Sequence, residues 1–260
     1  MDAREISKYK GQSLFLSLAP LSLKYAIAAQ KQPELVVGAL LTSYSVFEGF
    51  LNYLGRTLSI RIDGEYSTNP NALVLHALGV RLGGLEKDKA DFKCKINEIF
   101  LKTREQKAPW GDKRFQHLYA LASIRNQIAH PKIQSSLHPP IEAGWDQSPE
   151  ELRKYAIRNW KSNILWKNLV DWGVLPDPTD NKFCRSFSDA LINEPNIAIW
   201  GHNTAAKIVN EIWECVKHRE TGGQPERLAL ISGLIHRLGV IQDIDIEMYS
   251  PEFLVPHWMR

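Results

Sequence analysis

Along most of the chain, apolar residues recur every three or four positions, the spacing of helices that bury one face. Residues 12–30 carry this pattern, and Pro20 within them is expected to kink or split the helix. Pro33 suits the first turn of a second helix reaching about residue 59. Its apolar face reads Val37, Leu40, Leu41, Tyr44, Phe47, Leu51, Leu54 and Leu58. Glu48 lands on that face, between Leu41 and Tyr44 on a wheel of about 100° per residue. A turn-rich connection follows, punctuated by Asp63-Gly64 and Asn69-Pro70, and leads into a short helix over 71–82 that Gly83-Gly84 should end. Residues 85–105 read as one charged helix with Phe92, Ile96, Ile99 and Phe100 facing inward. Pro109-Trp110-Gly111 breaks it, and Asp112 can cap a further helix that Pro131 stops.

From Pro131 to Asp146 the chain is rich in Ser, His, Pro and Gly, which marks an internal boundary or loop. Ser148-Pro149-Glu150-Glu151 has the form of a capped helix start, and the helix it opens is expected to run to about residue 172. Further helices are expected over 181–193, 196–218 and 225–238, and 241–248 alternates acid and hydrophobe like a lone strand. The reading is all-α, with roughly eight helices. Whether the pieces after residue 147 form a second domain or complete the first bundle stays open at this level.

Composition narrows the classes. A net charge of +3 does not announce a nucleic-acid binder, although it permits one with a local basic patch. The cysteines Cys94, Cys184 and Cys215 are odd in number and scattered, which argues against a disulfide framework or a thiolate zinc site. No basic segment followed by an apolar core stands at the N-terminus, and runs such as 35–41 fall short of a bilayer span. A cytoplasmic protein without membrane contact is the expectation. There is no Gly-rich phosphate loop and no internal repeat.

The stretch Leu121-Ala122-Ser123-Ile124-Arg125-Asn126-Gln127-Ile128-Ala129-His130-Pro131 carries the candidate chemistry. Arg125 falls inside the apolar arc of Phe115, Leu118, Leu121, Ala122, Ile124, Ile128 and Ala129. A buried charge needs a partner, and Glu48, on the apolar face of its own helix, offers one. That pair could simply hold two helices in register. His130 adds a titratable ring at the helix C-terminus, about 140° around the wheel from Arg125 with Asn126 between. It could serve a phosphodiester, or only cap the last carbonyls.

Arg125-Asn126-Gln127-Ile128-Ala129-His130 resembles the Arg-x4-to-6-His signature of the HEPN superfamily, in the form with Asn directly after Arg. Tyr44-Ser45-Val46-Phe47-Glu48-Gly49-Phe50-Leu51-Asn52 is similar to the upstream helix of that family, with its acidic residue among aromatics and leucines. The resemblance covers about 33–131, with 196–218 a candidate closing helix. It implies a HEPN-like up-and-down helical bundle at 1–147, and a helical extension at 148–260 that packs on the bundle and completes it. It also implies a metal-independent endoribonuclease, of the toxin or antiviral abortive-infection kind, that needs no cofactor and cuts single-stranded RNA in a cleft formed by a homodimer. An antitoxin or other regulatory protein would restrain it. In that scheme His130 is the general acid–base, Arg125 holds the scissile phosphate, Asn126 positions phosphate or imidazole, Glu48 orients Arg125, and Lys132 is a further phosphate contact. The alternative is a catalytically inactive module for dimerisation, nucleotide binding or protein interaction.

Other clusters are open to a plain packing explanation. Arg153, Lys154, Arg158, Lys161 and Lys167 interleave with Tyr155, Trp160, Trp166 and Trp172, which could bind single-stranded RNA by phosphate contact and stacking. A helix with buried tryptophans and a solvated basic face is the more economical reading. Cys215 with His218 is a poor metal pair, His202 reads as a helix-start or packing residue, and Asp243, Asp245 and Glu247 as a solvated strand face.

Overall fold

The computed structural model of the protein describes residues 14–60, 68–129, 148–177, 179 and 187–219, together with 232, 235, 238, 239 and 241. Among the described residues the chain is all-α, with nine α-helices and no strand. In chain order these are α1 (Leu14–Ala28), α2 (Val36–Leu58), α3 (Pro70–Lys87), α4 (Phe92–Arg104), α5 (Lys113–Ala129), α6 (Pro149–Ser162), α7 (Ile164–Asp171), α8 (Phe187–Asn193) and α9 (Asn196–His218). The connection expected over 131–146, the helix over 225–238 and the strand over 241–248 lie largely or wholly outside the described residues.

Two compact units interleave along the chain. The first gathers Met1–Leu23, Thr42–Leu118 and Asn203–Ile241; the second gathers Lys24–Leu41, Tyr119–His202 and Gln242–Arg260. Both therefore contain residues from either side of position 147.

Local chemistry explains most helix starts. Pro33–Leu35 forms a 3-10 turn directly before α2, as the fixed φ of proline favours. Asn69 accepts from the Asn71 and Ala72 amides at the start of α3, and Asp91 from the Cys94 amide at 2.8 Å in α4. Asp112 Oδ1 accepts from the Arg114 amide at 2.8 Å to open α5. Ser148 and Glu151 form a reciprocal capping box at α6: the Glu151 amide donates to Ser148 Oγ (3.3 Å) and the Ser148 amide to Glu151 Oε2 (3.0 Å).

Three expectations fail, each for a packing reason or an overlooked cap, and of the two outcomes expected at Pro20 the split does not occur. Pro20 does not split α1; it sits exposed while Phe15, Ala19, Ser22 and Ala26 are buried along the helix, and that burial offsets the lost amide bond. Gly83-Gly84 does not end α3, which continues to Lys87 because Leu82 and Leu85 are both buried. The single helix expected over 85–105 is broken after Lys87, where Lys89 takes φ 54° and Asp91 starts α4 afresh. The helix expected to reach residue 172 breaks at Asn163, whose side chain caps α7 by accepting from the Trp166 amide at 3.1 Å.

In the first unit α2 is buried well beyond the face the sequence marks: Val46, Phe50, Tyr53 and Thr57 are buried as well as Phe47, Leu51, Leu54 and Leu58. Pro33–Leu58 is long and apolar enough to cross a membrane by length and composition alone, and half of its most apolar 18-residue stretch is buried inside the protein. The C-terminal end of α2 meets α3 at Gly79, where a Cβ would overlap the Ser59 nitrogen and the Leu58 carbonyl carbon. Phe47, Phe92, Trp110, Phe115 and Phe100 form a chain of ring contacts with centroids 5.3–6.2 Å apart. The Trp110 indole donates to Asn97 Oδ1 at 3.0 Å, which ties the 109–111 turn to α4. In the second unit, Trp166 is fully buried and meets Phe187 at 5.8 Å between centroids.

Candidate functional site

Helix α5 positions the candidate residues. Phe115 and Leu118 are buried in the first unit; Leu121, Ala122 and Ile124 are buried in the second. Burial then thins: Ile128 is half-buried, and Asn126, Gln127 and Ala129 are exposed. Arg125 is accordingly half-buried rather than enclosed, with its stem beside the apolar arc and its charged end toward the polar side.

Arg125 Nη1 donates to Asn126 Oδ1 at 3.0 Å. Adjacent residues on a helix point about 100° apart, so this bond requires the long arginine side chain to curl around the helix toward the exposed asparagine. The bond orients the guanidinium toward the Asn126 side-chain amide. What results, in the last turn of α5, is a cation steered by a neighbouring amide. Such a fork can take a planar or tetrahedral oxyanion.

Of the other candidates, Glu48 is half-buried on α2 in the first unit, whereas Arg125 and Asn126 belong to the second. A Glu48–Arg125 pair thus stays an expectation from the sequence. His130 and Lys132 lie outside the described residues; α5 is described as far as Ala129.

Several further side chains find structural explanations. Trp166 is a core residue and offers no face to a base. His202 is fully buried inside α9 rather than at its start. Burial pushes the Cys215 thiol up to about 11 against the opposing pull of Arg104, so its thiolate is disfavoured as a ligand. Among the described residues no three His, Cys, Asp or Glu side chains gather as metal ligands.

Two features escaped the sequence reading. Burial holds the His117 imidazole down to about 4, and Lys113 and Lys207 push the same way. Nothing in its sequence context marks it, because the second lysine comes from a distant helix. The other is a groove of about 600 Å³ in the first unit, lined by Asn71, Thr103, Arg104, Glu105, His218 and Arg219. Its arginines are already committed: Arg219 Nε donates to the Thr103 carbonyl (3.0 Å) and Nη2 to Glu105 (2.5 Å), and Arg104 pairs with Glu211 at 3.3 Å. These bonds join the ends of α4 and α9, which accounts for the cluster as structure.

No family model, curated protein or solved structure matches the chain.

Proposed function

We propose that the protein is a metal-independent, HEPN-type endoribonuclease acting on single-stranded RNA, with Arg125, Asn126 and His130 as its catalytic group and Glu48 and Lys132 in support. The observation that carries this reading is the Arg125–Asn126 hydrogen bond in the last described turn of α5. It gives the guanidinium a direction toward the exposed Asn126 side chain, which suits a phosphate clamp. The all-α fold and the placement of Glu48 on a long apolar helix agree with a HEPN-like bundle. In this scheme His130 takes the 2′-hydroxyl proton, or protonates the leaving 5′-oxygen, while Arg125 neutralises charge gathering on the phosphate. The products carry 2′,3′-cyclic phosphate ends. Two copies bring their α5 helices together around the RNA, and a regulatory partner such as an antitoxin restrains the activity in the cytoplasm.

The test is cleavage of single-stranded RNA in EDTA by wild type, His130→Ala and Arg125→Ala. Wild type alone is expected to cut, leaving cyclic-phosphate ends, with a loss of roughly a hundredfold or more in either variant. Activity that survives His130→Ala, or that demands a divalent metal, refutes the mechanism. An inactive dimerisation or interaction module is what remains if wild type does not cut at all.

A further inference from the structure

Residues 152–170 contain Arg153, Lys154, Arg158, Lys161 and Lys167 and no acidic residue. In a chain whose net charge is only +3, this is a local concentration of positive charge. The structure sharpens it in three ways. Lys154, Arg158 and Lys161 follow an i, i+4, i+7 spacing on α6, so they share one helix face. All three are exposed, and so is Lys167 on α7. Finally, Trp166, the ring most central to any stacking platform, is fully buried.

Such a face costs something to maintain. Like charges at this spacing repel one another and weaken the helix. Only Lys154 has a counter-ion among the described residues, Glu150 at 3.4 Å, and both side chains are about three-quarters exposed (74 and 79 %). That exchange with solvent or another anion costs little. Arg158, Lys161 and Lys167 make no ion pair among the described residues. From Lys154 to Lys161 the track is about 10 Å long, the rise of about three stacked nucleotides of one strand. Helices α6 and α7 belong to the same compact unit as Arg125 and Asn126.

We infer that the exposed basic residues Lys154, Arg158 and Lys161 on α6 and Lys167 on α7 bind the phosphate backbone of the RNA by charge. This rests on the ribonuclease reading for its ligand, but not on the catalytic group. Because only phosphates are contacted, binding here tolerates any sequence and falls steeply with salt.

The experiment is fluorescence-anisotropy titration of a single-stranded oligoribonucleotide with full-length protein in EDTA, over a range of salt. It is carried out on a His130→Ala background so that the probe is not cut. Replacing Arg158, Lys161 and Lys167 together by Gln is expected to make the slope of log K against log[salt] shallower by about 2, at about 0.7 per lost contact on a single strand. The charge-preserving combination Arg158→Lys with Lys161→Arg should keep the wild-type slope, which separates lost charge from disturbed folding. An unchanged slope in the Gln variant overturns the inference and leaves the face to some other acidic partner. Cleavage is followed separately with His130 intact. If no form of the protein cuts RNA yet the Gln variant loses the salt-dependent binding, the ribonuclease reading fails and this one stands. If cutting is normal and binding is indifferent to the Gln variant, the reverse holds.

Discussion

Helix α3 contains three glycines inside its span, and the structure assigns them opposite roles. At Gly79 an added Cβ would overlap the Ser59 nitrogen and the Leu58 carbonyl carbon, and would lie 2.7 Å from Leu58 Cβ. The obstructing atoms are mostly backbone, at the last turn of α2, where the Ser59 amide bonds to the Gly55 carbonyl at 3.0 Å. No rotamer change can move them aside, so Gly79→Ala must push two helices apart. Overpacking of this kind costs about 3 kcal/mol at the upper end of its usual range. Replacing Gly by Ala in a helix returns about 1 kcal/mol. The net loss is therefore about 2 kcal/mol. Gly83, one turn on, has nothing within 4 Å of its would-be Cβ among the described residues. Gly83→Ala should therefore stabilise by about 0.5–1 kcal/mol. Urea unfolding separates the two: with a slope of about 3 kcal/mol per molar, Gly79→Ala moves the midpoint down by about 0.7 M and Gly83→Ala moves it up by about 0.2–0.3 M. If Gly79→Ala unfolds at or above the wild-type midpoint, the close approach of α2 and α3 is wrong.

His117 predicts an acid-sensitive component of stability. Its imidazole is held down to about 4 in the folded protein, against about 6.5 when unfolded. The folded state therefore favours the neutral ring. The contribution is complete above about pH 6.5, is lost as pH falls toward 4, and then levels off. Between pH 7.5 and pH 5 wild type should lose about 1–2 kcal/mol more than His117→Gln in urea unfolding, after allowance for solvent screening; equal losses in both refute it. Asp112, held down at about 2 by Arg114, acts only below this window. Trp166→Ala removes a fully buried ring in contact with Phe187 and should cost about 3–5 kcal/mol. A change below about 1 kcal/mol in thermal or urea unfolding would return Trp166 to the surface and reopen base stacking.

Of the candidate site, the helical setting of Arg125 and Asn126 was legible in the sequence, and the bond between them was not foreseen. Arg125 and Asn126 are neighbours in the chain, and their bond at 3.0 Å needs nothing but α5 to form. The degree of burial was not legible. A helical wheel ranks faces but contains no neighbours, so it placed Arg125 within a buried arc, whereas burial fades along α5 before the arc is complete. His117 stayed hidden for the same reason: its environment includes Lys207, ninety residues away in sequence.

By itself, the sequence determined the all-α class, the helical turn at Pro33 that leads into α2, the caps at Asp112 and Ser148, and the full extent of α9 over Asn196–His218. These depend on apolar periodicity and on hydrogen bonds between residues no more than four apart, so the information sits inside the segment that uses it. Only the tertiary structure decided that α1 runs through Pro20, that α3 runs through Gly83-Gly84 and that α2 is buried on more than one face. In each case burial of side chains against distant parts of the chain outweighs a local preference of about 1–3 kcal/mol. Local propensity names the breakers, and packing chooses which of them break.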